Sequence, residues 1–188
     1  MGSAIISFFF LISWASAFAG DQHGFSIKVL TSPDDQFWTN SVIIEGTHEV
    51  ILVDAQLTKT SAAKVVQEIR ETKKHLSIVY ITHEHADHFL GLEVFKEAYP
   101  RARIIANSAV ADRINKVYQE KVDKWKTILG SAATSQVVAI EKFDGHFVEF
   151  EGSPGREVHE GSLERFFFYL ALPFKGPRFL CLKHFLRA

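Results

Sequence analysis

The chain has one cysteine, Cys181, in 188 residues. A single thiol cannot close an intramolecular disulfide, and it excludes a zinc site built from several thiolates. Charge of one sign is also lacking, with 21 Lys and Arg against 22 Asp and Glu and a formal net charge of -1. Without a basic field there is no electrostatic ground for a nucleic-acid partner. No internal repeat and no low-complexity linker divides the chain, and its length suits one domain with a substantial core.

The first twenty residues lack any charged side chain; the first is Asp21. Within them Ile5 to Trp14 is apolar and carries Phe8, Phe9, Phe10, Leu11 and Ile12. The small-residue triplets Ala15-Ser16-Ala17 and Ala17-Phe18-Ala19 follow, and Ala19 is the better cleavage point. Residues 1–19 therefore read as a secretory signal peptide and 20–188 as the mature domain, secreted or periplasmic. The missing Lys or Arg near Met1 departs from that pattern. A membrane anchor is the alternative, but Ser3, Ser7, Ser13 and Ser16 dilute the apolar run. No stable membrane insertion is expected after cleavage, and export is compatible with a chain free of disulfides.

What is present is an alternation of strand and helix patterns. Phe25–Leu30 alternates as a strand, and Ser32–Asp35 turns it. Phe37 and Trp38 either line a pocket mouth or pack in the core. Ser41–Ile44 and Glu49–Val53 form a hairpin around Gly46. Thr60–His75 is an amphipathic helix with Ala62, Val65, Val66 and Ile69 on its apolar stripe, capped by Thr60 or Ser61. Leu76–Ile81 is a buried strand, which completes a βαβ-like unit. Phe89–Ala98 is a short helix closed by Tyr99-Pro100, and Arg103–Ala106 is a strand. Val110–Leu129 is a long helix with Val110, Ile114, Val117, Val122, Trp125, Ile128 and Leu129 inward. Gly130 ends it. Gln136–Phe143, Phe147–Phe150, Leu163–Leu172 and Arg178–Leu182 read as later strands.

The chemistry is concentrated in Thr82-His83-Glu84-His85-Ala86-Asp87-His88, placed between a strand end and a helix start. Loops at that position are where open α/β layers carry function. Imidazole and carboxylate are donors that suit zinc or a similar first-row divalent ion. His83 and His85 are two residues apart, so in an extended segment they share a side and can grip one ion. Asp87 and His88 follow as the chain turns and can grip a second. The bland alternative is a solvated loop with Thr82 or Asp87 capping a helix. Three His and one Asp at these spacings would arise in about one random chain in a thousand, which favours the metal. Asp54 ends the third strand, where it either caps a turn or orients a metal ligand.

This run, followed by Gly91, resembles the signature of the metallo-β-lactamase-fold hydrolases. Asn40-Ser41, leading the second strand, resembles that family's common N-terminal strand, and Asp54, ending Ile51-Leu52-Val53, resembles its acidic residue beneath the metal site. The resemblance implies an α/β fold, a metallo-beta-lactamase-like αββα sandwich, whose C-terminal half is incomplete after about Leu163. It implies His83 and His85 in a first metal site, joined by His159 from the Pro154–Ser162 loop. Asp87 and His88 fall to a second site. Zn2+, as one or two ions, is the expected metal, with Fe and Mn as alternatives. Two features depart from the family. Phe179–Leu182 holds no carboxylate where the family has a bridging Asp, and His184 is a poor match for its final histidine. Cys181 is a substitute ligand in one reading.

These features imply metal-dependent hydrolysis of a small-molecule ester, amide, lactam or thioester. Asp87 would orient or deprotonate water, and Asp54 would fix ligand geometry. A metal-binding remnant without turnover, or an interaction domain using the Val110–Leu129 helix, is the alternative.

Overall fold

The computed structural model describes residues 26–145 and 148–150. The expected signal peptide 1–19, His159, Cys181, His184 and the strands Leu163–Leu172 and Arg178–Leu182 lie outside the described residues. So does part of the strand expected at Phe147–Phe150.

One mixed six-stranded sheet organises the fold, with spatial order equal to chain order. Its strands are β1 (Ser26–Thr31), β2 (Asn40–Glu45), β3 (Glu49–Val53), β4 (His75–Ile81), β5 (Arg103–Ala106) and β6 (Glu141–Lys142). β1, β2 and β3 pair antiparallel. From β3 to β6 the pairing is parallel. Four α-helices accompany the sheet among the described residues: α1 (Lys59–Glu71), α2 (Ala86–Phe89), α3 (Leu92–Ala98) and α4 (Ser108–Leu129).

The parallel half follows from hydropathy. Leu76, Ile78, Val79 and Ile81 are all buried, so β4 is covered on both sides, as a central parallel strand should be. α1 lies between β3 and β4 in the chain and buries Ala62, Val65, Val66 and Ile69 in the core. That is the expected stripe. The helix ends four residues earlier than its pattern suggests. Thr72 Oγ1 bonds Ile69 O at 2.7 Å and Lys73 turns at φ 59°, which frees His75 to open β4. The cap at the other end is Thr58, whose side chain accepts from Ser61 N, and not Thr60 or Ser61.

α4 is capped by Asn107 and stopped by Gly130 at φ 57°. Its buried face is Val110, Ala111, Ile114, Tyr118 and Val122. Tyr118 takes the centre, ring to ring with Phe89 at 4.8 Å, while Ile128 stays exposed. The expected strand at Gln136–Phe143 pairs only at Glu141 and Lys142. Val138 and Ile140 are nevertheless in the core, so the segment before β6 packs without forming a ladder.

The expected Phe89–Ala98 helix is broken at Leu90-Gly91 into α2 and α3. Gly91 N donates to Gln56 O at 2.8 Å, and a Cβ at Gly91 would stand 2.0 Å from Ala55 O. Only glycine permits the metal-motif loop to lie this close to the strand end above β3. Among the described residues no helix is long and apolar enough to cross a membrane.

Candidate metal centre

β3 and β4 run side by side, with Val53 opposite Tyr80, so both strands deliver their C-terminal ends to one place. β3 leads directly into Asp54, and β4 into Thr82-His83. The chain leaves β3 through two left-handed residues, Asp54 at φ 63° and Gln56 at φ 69°. Asp and Asn tolerate that conformation better than most side chains. The sharp exit turns Asp54 toward the motif and lets Ala55 N donate to His88 O at 2.7 Å.

Asp54 is 5% exposed and is the hub. Its Oδ1 accepts from Thr82 N at 2.9 Å, and its Oδ2 accepts from Thr82 Oγ1 at 2.7 Å. His88 Nδ1 meets the same Oδ2 at 2.7 Å. Thr82 Oγ1 also lies 2.9 Å from His83 Nδ1. A hydroxyl has one proton, and a carboxylate oxygen accepts. Thr82 therefore donates to Asp54 and accepts from His83 Nδ1–H, which leaves the lone pair of His83 on Nε2. His88 likewise gives Nδ1–H to Asp54 and turns Nε2 toward Asp87 Oδ2, 3.2 Å away.

The rings are crowded. His83 and His88 centroids are 3.9 Å apart, and those of His83 and the exposed His85 are 4.7 Å apart. Burial lowers the His83 pKa to about 4, and the neighbouring His88 pushes the same way. Burial alone would lower His88 as well. The Asp54 and Asp87 carboxylates overcome it and raise His88 to about 10. Burial works against the Asp87 carboxylate, but hydrogen bonds from His88 and Thr39 bring it down to about 2. Burial thus favours the neutral form of His83, while the carboxylates beside His88 favour its protonated form.

That arrangement fits a divalent cation. Ligand atoms of Asp54, His83 and His88 all lie within 4.8 Å of one another. Of these three, Asp54 already accepts from Thr82 and His88, so its geometry is that of a group that orients a ligand. His83, His85, Asp87 and His88 stand together on the short stretch from the end of β4 through α2. The two proposed pairs, His83 with His85 and Asp87 with His88, are not spatially separate, since His83 is nearer to His88 than to His85.

Several groups here carry no signal in the sequence. Gln56 is 1% exposed, and its Nε2 bonds Ser41 Oγ at 2.8 Å and Thr39 O at 3.1 Å. Ser41 Oγ donates in turn to Asp54 O at 2.7 Å. Thr39 Oγ1 reaches Asp87 Oδ2 at 2.5 Å. Phe37 and Trp38, with positive φ and 54% and 48% exposed, stand immediately before Thr39. Phe37 meets Trp125 of α4 edge-on at 5.9 Å. These two aromatics are thus on the surface rather than in the core.

A family model described as the metallo-beta-lactamase superfamily matches residues 35–164, more than half of the chain. The chain belongs to that superfamily, and the fold expected from the motif is the one found. The chain is 29% identical over 123 residues to exodeoxyribonuclease WalJ of Streptococcus pneumoniae, covering 64% of this chain and 45% of that protein. It is 30% identical over 69 residues to the uncharacterized protein YobT of Bacillus subtilis, covering 37% and 29%. The chain thus spans less than half the length of these relatives. Among solved structures, FEZ-1 metallo-beta-lactamase from Legionella gormanii is 23% identical with a TM-score of 0.44, covering 60% of this chain and 43% of that one. A HARLDQ-motif mutant metallo-beta-lactamase from Cronobacter sakazakii is 26% identical with a TM-score of 0.43, covering 60% and 44%.

Proposed function

We propose that this chain carries a metal-dependent hydrolytic site. His83, His85, Asp87 and His88 are its ligands, Asp54 is the group that orients them, and zinc is the metal. The observation that carries this reading is the His83–Thr82–Asp54–His88–Asp87 hydrogen-bond chain. It fixes His83 with its lone pair on Nε2 and sets His88 between two carboxylates, a cluster with more negative than positive charge.

A divalent cation held there would polarise a scissile carbonyl or phosphoryl group and acidify water. The chain's own groups supply the rest. Asp87 stays ionised and can accept a hydrogen bond that orients attacking water. Asp54 anchors His88 through Nδ1, and Thr82 anchors Asp54 from the neighbouring strand end. Family membership supports hydrolysis as the reaction type. His159 remains the proposed further ligand to the first ion.

For substrate we favour a small molecule with an ester, amide, lactam or thioester bond, in keeping with the near-neutral charge. The similarity to an exodeoxyribonuclease favours a second reading, a phosphodiester of nucleic acid. In both readings residues 1–19 act as an export leader, so N-terminal sequencing of protein recovered outside the cytoplasm should begin near Gly20. Metal analysis of protein purified with zinc should find bound metal. A panel of a β-lactam, a thioester and a phosphodiester should show turnover that His83→Ala removes. Bound metal without turnover on any substrate would leave the inactive remnant as the reading, and absence of bound metal would end the proposal.

A further inference from the structure

The turn that joins β1 to β2 sits far from the metal motif in the chain, yet one of its side chains ends on Asp87. Thr39 is 4% exposed, and its hydroxyl has two acceptors in reach. Gln36 O is 3.3 Å away, within its own turn, and Asp87 Oδ2 is 2.5 Å away, across 48 residues of sequence. A buried hydroxyl needs only one acceptor to avoid a desolvation cost, and the local carbonyl could serve. The shorter contact goes to the carboxylate. Charge-assisted hydrogen bonds of this kind are both shorter and stronger than neutral ones.

We propose that Thr39 is a positioning residue of the metal site: it holds Oδ2 of Asp87 and so decides how that carboxylate is presented to a cation. This rests on the metal-site reading above. Asp87 Oδ2 has a second neighbour, His88 Nε2 at 3.2 Å, which is itself a candidate ligand atom. A cation held by both Asp87 and His88 would take the place of the proton between them. The Thr39 hydroxyl would then be the side-chain donor that still fixes the carboxylate.

The turn is built to keep Thr39 in place. Its carbonyl accepts from Ser32 N at 2.9 Å and from Gln56 Nε2 at 3.1 Å. Ser32 Oγ closes the turn onto Gln36 O at 2.8 Å. Gln36 Oε1 in turn accepts from Thr58 and Ser61 at the start of α1, at 2.8 and 2.6 Å. A threonine held at both its backbone and its hydroxyl loses little freedom when the ion arrives, which is what an outer group of a metal site needs.

The test compares Thr39→Val, which keeps the shape and removes the hydroxyl, with Thr39→Ser, which restores it. Calorimetric titration of the metal-free full chain with Zn2+, and the visible spectrum of the Co2+-loaded protein, are the readouts. Circular dichroism and thermal melting in chelator establish folding. Thr39→Val should bind metal roughly 10- to 100-fold more weakly than wild type, with an altered cobalt spectrum. Thr39→Ser should recover both. Wild-type affinity and spectrum in Thr39→Val would overturn the positioning role and leave the metal site standing. So would equal weakening in Thr39→Val and Thr39→Ser. Failure of the wild type itself to bind would remove both readings. If Thr39→Val does not fold, Thr39→Ala and Thr39→Ser are compared by the same titration, with the same two outcomes.

Discussion

Two buried carboxylates on this fold invite comparison. Asp54 is 5% exposed at the end of β3, and Glu93 is 4% exposed in the first turn of α3. Glu93 is met by groups with nothing further to do. Ser135 donates to it from its backbone N at 2.6 Å and its hydroxyl at 2.8 Å, and Lys59 Nζ lies 3.6 Å away. Asp54 is met by His88 and Thr82, and through them by His83 and Asp87, which form a crowded cluster of imidazoles and carboxylates. The first carboxylate fastens the segment after α4 to α3. The second sets the protonation and direction of side chains that suit a cation. Burial is common to both; what differs is that the partners of Asp54 include imidazoles, which can offer a nitrogen lone pair to a cation.

The comparison is broken most severely at Asp54. Asp54→Ala leaves the His88 imidazolium and two Thr82 donors without their acceptor, at a site where φ is 63°. Breaking a buried ion pair from one side costs about 3–5 kcal/mol, to be measured by urea unfolding in chelator. Zinc should stabilise the wild type in the same assay, and Asp54→Ala should lose most of that gain.

Glu93→Gln should lose less, about 1–3 kcal/mol at pH 7, because one charged hydrogen-bond acceptor is replaced by a neutral amide. Its response to zinc should match wild type, which separates the two carboxylates by function as well as by size of effect. The pH dependence has a definite sign. Burial tends to raise the Glu93 pKa, but the Ser135 hydrogen bonds and Lys59 outweigh it and hold it below the ordinary 4.5. A carboxyl with a depressed folded pKa adds stability above its unfolded pKa, and that stability is lost as pH falls through the folded value. Wild type and Glu93→Gln should therefore converge in stability as pH drops below about 4. A constant gap across that range would assign the contact to packing.

The smallest effect is expected at a solvated pair. Arg103 and Glu141 join β5 to β6 with Arg103 Nε at 3.2 Å, and both side chains are about half exposed. Water and salt screen such a pair, so Arg103→Ala should cost the least of the three, and that cost should shrink in high salt. A cost as large as that of Glu93→Gln would mean that β6, only two residues long, depends on this pair for its place.

Much of this fold was legible beforehand. α1 and α4 announce themselves through a 3.6-residue period, and the hairpin and β4 through short apolar, β-branched runs. The irregular segment before β6 was not legible. Val137, Val138 and Ile140 have strand propensity, but the Glu93–Ser135 contact fixes the segment entering them, and a ladder forms only at its end. Tyr118 likewise gives no clear signal on the α4 stripe, since a phenol is equally at home inside or at the surface and only its contact with Phe89 places it.

The candidate donors His83, His85, Asp87 and His88 lie within the seven residues Thr82–His88, so their spacing is legible in the sequence, as is the βαβ unit that presents them. Only the tertiary structure decided which partner each donor has. Asp54 finds His88 across 34 residues, Ser135 finds Glu93 across 42, and Thr39 finds Asp87 across 48. Local backbone geometry imposes the first kind of order and leaves a periodic trace. The second kind depends on strand register and on how closely Gly91 lets one loop approach another, and neither leaves a spacing to read.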